Sequence, residues 1–151
     1  MIEFGSVYLV VRDFEKSLDF YKKLLETEVS AQNQTRFAIF HKGGLCLCLL
    51  NGYFDRDNPR KVALKGERNP LYDDYTAIAE SPNSRKAVLN FGTPDLRAEY
   101  ERVKSLNIGS RITEIRYINA GTPYWYFSLS DPDGNPIEIT GGYSPTAEEL
   151  F

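Results

Sequence analysis

A shift of 82 residues lays one half of this chain over the other. Asp13, Phe14, Leu18, Tyr21 and Leu24 fall on Asp95, Leu96, Tyr100, Val103 and Leu106, while Val7 and Leu9 fall on Leu89 and Phe91. A repeat of this length is a supersecondary unit, and such units bury their apolar faces by packing on further elements. The repeat therefore restricts the fold to two copies of one motif, and each copy reads β-α-β-β-β. In the first, residues 6–11 alternate Val7, Leu9 and Val11 against Ser6, Tyr8 and Val10, the period of a strand. Asp13 then caps a helix, Glu15 suits its first turn, and Phe14, Leu18, Tyr21, Leu24 and Leu25 recur at helical spacing to about Leu25. Short strands follow at 28–31, 36–41 and 45–50, with Gly43-Gly44 as the turn between the last two.

The second copy repeats the order. Residues 87–93 form a strand, Thr93-Pro94-Asp95 caps a helix with Pro near its first position, and Gly109 sits where a terminating glycine belongs. Strands at 112–117, 124–130 and 135–140 complete it. Gly44 and Gly134 occupy equivalent turns, which makes Cys48 the counterpart of Glu138. Between the copies, residues 51–85 are charged, carry Pro59, Pro70 and Pro82, and show no clean period. This stretch reads as a solvated linker, with a lid or a partner-binding arm as the alternative. The chain is thus one domain over 1–151: module one at about 1–51, the linker or arm at 52–85, module two at 86–141, and a tail at 142–151. Leu150 and Phe151 are the tail's anchors.

Composition narrows the functional classes. Eighteen Lys and Arg against 21 Asp and Glu give a net charge of −3, with no basic stripe, so no nucleic-acid partner is read. Met1-Ile2-Glu3-Phe4-Gly5 has neither the basic nor the apolar region of a signal peptide, and no apolar run reaches membrane length. Cys46 and Cys48 lie two apart on one strand and cannot bridge each other in regular geometry, which points to a reducing, cytoplasmic setting. Ten Tyr and nine Phe favour a globular protein with a pocket.

The run Ser128-Leu-Ser-Asp-Pro-Asp-Gly-Asn-Pro-Ile-Glu-Ile-Thr140 is a hairpin. Asp131-Pro132-Asp133-Gly134-Asn135 reverses the chain between two alternating strands, and this turn needs no function to explain it. Ile137 and Ile139 make one face of the last strand, and Glu138 lies on the other. A carboxylate there must meet water, a cavity or a cation. If the aliphatic faces pack on the helices, the opposite faces line a concavity. That list comprises Ser6, Tyr8, Val10, Cys46, Cys48, Leu50, Val88, Asn90, Tyr124, Tyr126, Ser128, Pro136, Glu138 and Thr140. Trp125 falls on the core side, and His41, the only histidine, reads as solvated.

The hairpin Asp131-Pro-Asp-Gly-Asn-Pro-Ile-Glu138, together with Val7–Val11 followed by Asp13, Phe14, Ser17, Leu18, Phe20 and Tyr21, resembles the vicinal oxygen chelate superfamily. Its members include glyoxalase I, extradiol dioxygenases, and bleomycin and fosfomycin resistance proteins. The resemblance implies an α+β fold, two tandem βαβββ modules forming a concave mixed sheet with helices on the convex side. It also implies a homodimer. In the family's metalloenzymes the ligands stand at positions matching Ser6, Cys48, Val88 and Glu138. Only Glu138 is a customary ligand there, so no metal ligand, cofactor or catalytic residue is assigned. The resulting expectation is metal-free binding of a small molecule in an aromatic pocket made by Tyr8, Cys48, Asn90, Tyr124, Tyr126, Ser128 and Glu138. A divalent-metal lyase, isomerase or dioxygenase with an unusual ligand set is the alternative. An interaction module using the 51–85 arm is a second alternative, and metal-free catalysis with Glu138 as general base stays open.

Overall fold

A computed structural model describes residues 1–59, 74–119 and 123–150. It divides into two compact units, Met1–Pro82 and Asn83–Phe151. In the first, β1 (Val7–Val11), α1 (Phe14–Leu25), β2 (Ala31–Asn33), β3 (Phe37–Lys42) and β4 (Leu45–Asn51) are followed by the helices α2 (Phe54–Asp57) and α3 (Tyr75–Glu80). In the second, β5 (Leu89–Thr93) and α4 (Leu96–Leu106) precede β6 (Arg116–Asn119), β7 (Pro123–Ser130) and β8 (Pro136–Gly141). Each unit holds one open, four-stranded mixed sheet, in the orders β1-β4-β3-β2 and β5-β8-β7-β6. The first and last strands of each βαβββ run pair in parallel, and the remaining pairs are antiparallel.

The helices form where the caps and the periodicity place them. Asp13 accepts a hydrogen bond from the Lys16 amide, and Asp95 accepts one from the Ala98 amide, both at 3.0 Å. Each side chain satisfies a helix-end donor that would otherwise lack a partner. Phe14, Leu18, Tyr21, Leu24 and Leu25 of α1 are buried, as are Ala38, Phe40, Leu47 and Leu49 of the first sheet. Tyr21 meets Phe40 with ring centroids 6.4 Å apart. In the second unit Leu96, Tyr100 and Val103 of α4 are buried along with Phe127, Leu129, Ile137 and Ile139, and Tyr100 meets Phe127 edge-on at 5.1 Å.

Several local expectations are corrected. Both long helices end on a left-handed residue, Glu26 and Asn107, each with φ of 51°, so Asn107 and not Gly109 terminates α4. Pro94 lies before the Asp95 cap, outside the helix. The short strand expected at 28–31 is Ala31–Asn33 instead. The one expected at 112–117 begins only at Arg116. Arg111 has φ of 55°, and contact with β7 before Arg116 is limited to a Ser110–Ser130 bridge and the Thr113–Ser128 bonds. A positive φ at a non-glycine residue breaks the pleat, so regular pairing resumes only beyond it.

The stretch between the copies contains two docked helices. Phe54 of α2 and Ala79 of α3 are buried, and Asp55 forms a two-pronged ion pair with Arg36 at 2.8 and 3.1 Å. A β-carbon on Gly52 would lie 2.4 Å from Ala79 Cβ and 2.7 Å from the Tyr75 carbonyl. Only a glycine lets α3 come this close to the end of β4. The middle of the stretch, including Pro70, and the tail anchor Phe151 lie outside the described residues, as does the side chain of Leu150.

Candidate functional site

The register confirms the equivalence drawn from the two turn glycines, whose φ values are 82° at Gly44 and 81° at Gly134. Cys48 stands opposite Tyr8 in the first parallel ladder, and Glu138 stands opposite Asn90 in the second. Tyr8 and Asn90 are themselves related by the 82-residue shift. Cross-strand partners share a face. One sheet therefore carries Tyr8 and Cys48 where the other carries Asn90 and Glu138.

In the second unit the polar residues converge. Glu138 projects from β8 between the buried Ile137 and Ile139, facing Asn90 on one side and Ser128 on the other. Tyr124 donates its hydroxyl to Glu138 Oε1 at 2.6 Å. Asn90 Nδ2 donates to the same oxygen at 2.8 Å and to the Tyr124 hydroxyl at 3.1 Å. The result is a closed triangle in which two neutral donors share one carboxylate oxygen, and hydrogen bonds to a charged acceptor are the stronger kind. Among the described residues, no group donates to Oε2. Tyr126 lies beside Tyr124 with ring centroids 5.8 Å apart. Ser128 is on the same face, its amide donating to Thr113 Oγ1 at 3.0 Å. Glu138, Tyr124, Tyr126 and Ser128 are half-buried and Asn90 is exposed, so the triangle is open to a ligand.

The first unit presents a different face. Tyr8 is 58% exposed and tilts against Phe37 at 5.3 Å. Cys48 is only 2% exposed, and Leu50 beside it is also buried. The expectation of an open lining along β4 is thus corrected there: Leu47 to Leu50 are all buried, so both faces of the strand are covered. Burial pushes the Cys48 thiol up, partly offset by a hydrogen bond with Ser6, so it rests as a neutral thiol. His41 is exposed, with Nδ1 2.8 Å from Ser30 Oγ.

These residues do not fit a divalent-metal site at the positions the resemblance pointed to. Val88 has no donor atom, Cys48 is a buried neutral thiol, and Ser6 is engaged with it. Among the described residues, no three His, Cys, Asp or Glu side chains are grouped to hold a metal ion. Catalytic sites of that kind commonly take three protein ligands.

Trp125 differs from its expected place in the core. It is half-buried between Tyr117 at 4.7 Å and Tyr143 at 4.8 Å. It borders a cleft of about 450 Å³ with Arg97, Tyr100, Lys104, Glu114 and Glu149 among its other walls. Arg97 Nη2 donates to the Tyr143 hydroxyl at 2.7 Å and to Glu149 Oε2 at 2.9 Å. This cluster depends on the tail folding back onto α4, and nothing in the periodicity of residues 141–149 signals it.

A family model for the glyoxalase/bleomycin resistance protein/dioxygenase superfamily matches residues 3–139. The chain belongs to that superfamily. Among solved structures it is similar to a lactoylglutathione lyase from Agrobacterium tumefaciens, at 17% identity over 93% of each chain with a TM-score of 0.62. A bleomycin-binding protein complexed with bleomycin is 19% identical over 94% of this chain and 100% of that one, with a TM-score of 0.57. The fosfomycin resistance protein FosX from Mesorhizobium loti is 16% identical over the whole of both chains, with a TM-score of 0.58. At these identities the likeness is one of fold. No curated protein matches in sequence.

Proposed function

We propose that the chain binds a small molecule on the second sheet without a divalent metal, with Glu138 taking the ligand's cationic or hydrogen-bond-donating group. The observation that carries this reading is the triangle of Asn90, Tyr124 and Glu138. It neutralises one carboxylate oxygen with fixed neutral donors and leaves the other to a ligand. Tyr124 and Tyr126 offer flat apolar area beside that charge, and such a pairing suits an aromatic or heteroaromatic cation. The resemblance to a bleomycin-binding protein supports the same class of ligand. Homodimer formation, a cytoplasmic setting and a contribution from Tyr8, Cys48 and Ser128 belong to the proposal. Among the described residues, no helix is long and apolar enough to cross a membrane.

The test is calorimetric titration with bleomycin and a panel of aromatic amines and guanidines, on wild type and Glu138→Gln, with metal content measured on the same protein. Saturable binding is expected, weakened about 10- to 100-fold in Glu138→Gln, the worth of one charged hydrogen bond. Equal affinity in the two proteins overturns the role of Glu138. Near-stoichiometric zinc, nickel, manganese or iron would replace this reading with the divalent-metal lyase.

A further inference from the structure

Cys46 and Cys48 are not needed by the proposed ligand site on the second sheet, yet they form a pair. Residues two apart on a strand point to the same face. Here that face is the one bearing Tyr8 and Ile39, both opposite Cys48, with His41 opposite Cys46. The two thiols share a hydrogen bond, and Ser6 bonds to Cys48 as well. Cys46 is half-buried, so the pair is reached from its side, while Cys48 forms the closed end. Parallel side chains on one strand cannot adopt the crossed geometry of a disulfide. They are nonetheless suited to two sulfurs held by one soft ion, since two metal–sulfur bonds of about 2.3 Å span roughly 4.6 Å. Thiolate ligands select soft cations over hard ones.

We propose that Cys46 and Cys48 together hold a single soft monovalent cation of the Cu(I) or Ag(I) class. On binding, both S–H bonds break, two metal–sulfur bonds form, two protons pass to solvent, and no electrons are transferred. The site lies in the first unit and is independent of the Glu138 reading.

The test is anaerobic titration of the reduced full-length chain with Ag(I), read by native mass spectrometry, with a competing chelator to set affinity. One ion per chain is expected. Removing an outer-shell partner of a metal typically costs 10- to 100-fold in affinity, so losing a direct ligand should cost more than about 100-fold. Cys46→Ser and Cys48→Ser should each show that loss. Should the buried Cys48→Ser fail to fold, the half-buried Cys46→Ser carries the test alone. Two ions per wild-type chain would mean that each thiol acts by itself, and the proposal falls. Unchanged affinity in Cys46→Ser overturns it equally.

Discussion

Asp131 shows how much one side chain settles in this molecule. It is 2% exposed, and its Oδ1 accepts from the amides of Asp133 at 2.9 Å and Asn135 at 2.8 Å, while Oδ2 accepts from Asn135 Nδ2 at 2.8 Å. The carboxylate thereby builds the turn that aims β8, and with it Glu138. Asp131→Ala strands two amide donors and is expected to cost about 3 kcal/mol, whereas Asp131→Asn keeps an acceptor at Oδ1 and should lose less. Urea denaturation of the two variants checks this, and equal losses would contradict it. The residue pattern made the turn legible in the sequence. The Asn90–Tyr124–Glu138 triangle was legible only as three residues on one face. That Asn90 bonds both partners depends on the register of β5, β8 and β7, which alternation alone does not fix.

At the scale of elements, the tail after β8 is pinned to α4 by ionic and aromatic contacts. Glu149 accepts from the Tyr143 hydroxyl at 2.6 Å and the Thr146 amide at 2.7 Å, and also pairs with Arg97. Tyr143, Thr146 and Arg97 together pull the Glu149 carboxyl down from 4.5 to about 2. Burial and the bond to Glu149 push the Tyr143 hydroxyl up from 10 to about 12. The depressed acid stabilises docking above the unfolded value, and that contribution fades as pH falls from 4.5 towards 2. The raised phenol stabilises it below 10, and its contribution fades as pH rises towards 12. Trp125 is the only tryptophan and lies 4.8 Å from Tyr143, so its emission reports the contact. It is expected to stay constant from pH 5 to 9 and to shift outside the window between 4.5 and 10. A transition near neutrality would contradict the assignment. The helices α2 and α3 went unread for a related reason. Each is short and buries a single side chain, Phe54 or Ala79, which gives no period to detect.

At the scale of the whole chain, the two βαβββ units are structural repeats with different chemistry. Their equivalent positions hold Tyr8 and Cys48 in one and Asn90 and Glu138 in the other. A duplicated scaffold that keeps its core pattern can diverge freely on the face its helices leave uncovered, which is how one fold hosts many functions. Family resemblance leads to the expectation of a homodimer. Light scattering should give about twice the 17.2 kDa of one chain, and a monomeric mass at micromolar concentration would exclude it.

The sequence by itself determined the repeat, the long helices with their aspartate caps, the hairpin turn and the α+β class. All of these rest on local periodicity and on residues with narrow backbone preferences. Tertiary structure alone decided three things: that both faces of β4 are covered, that α3 meets β4 at Gly52, and that three polar side chains close on one oxygen of Glu138. Each depends on residues far apart in the chain arriving at contact distance, and no local pattern encodes that distance.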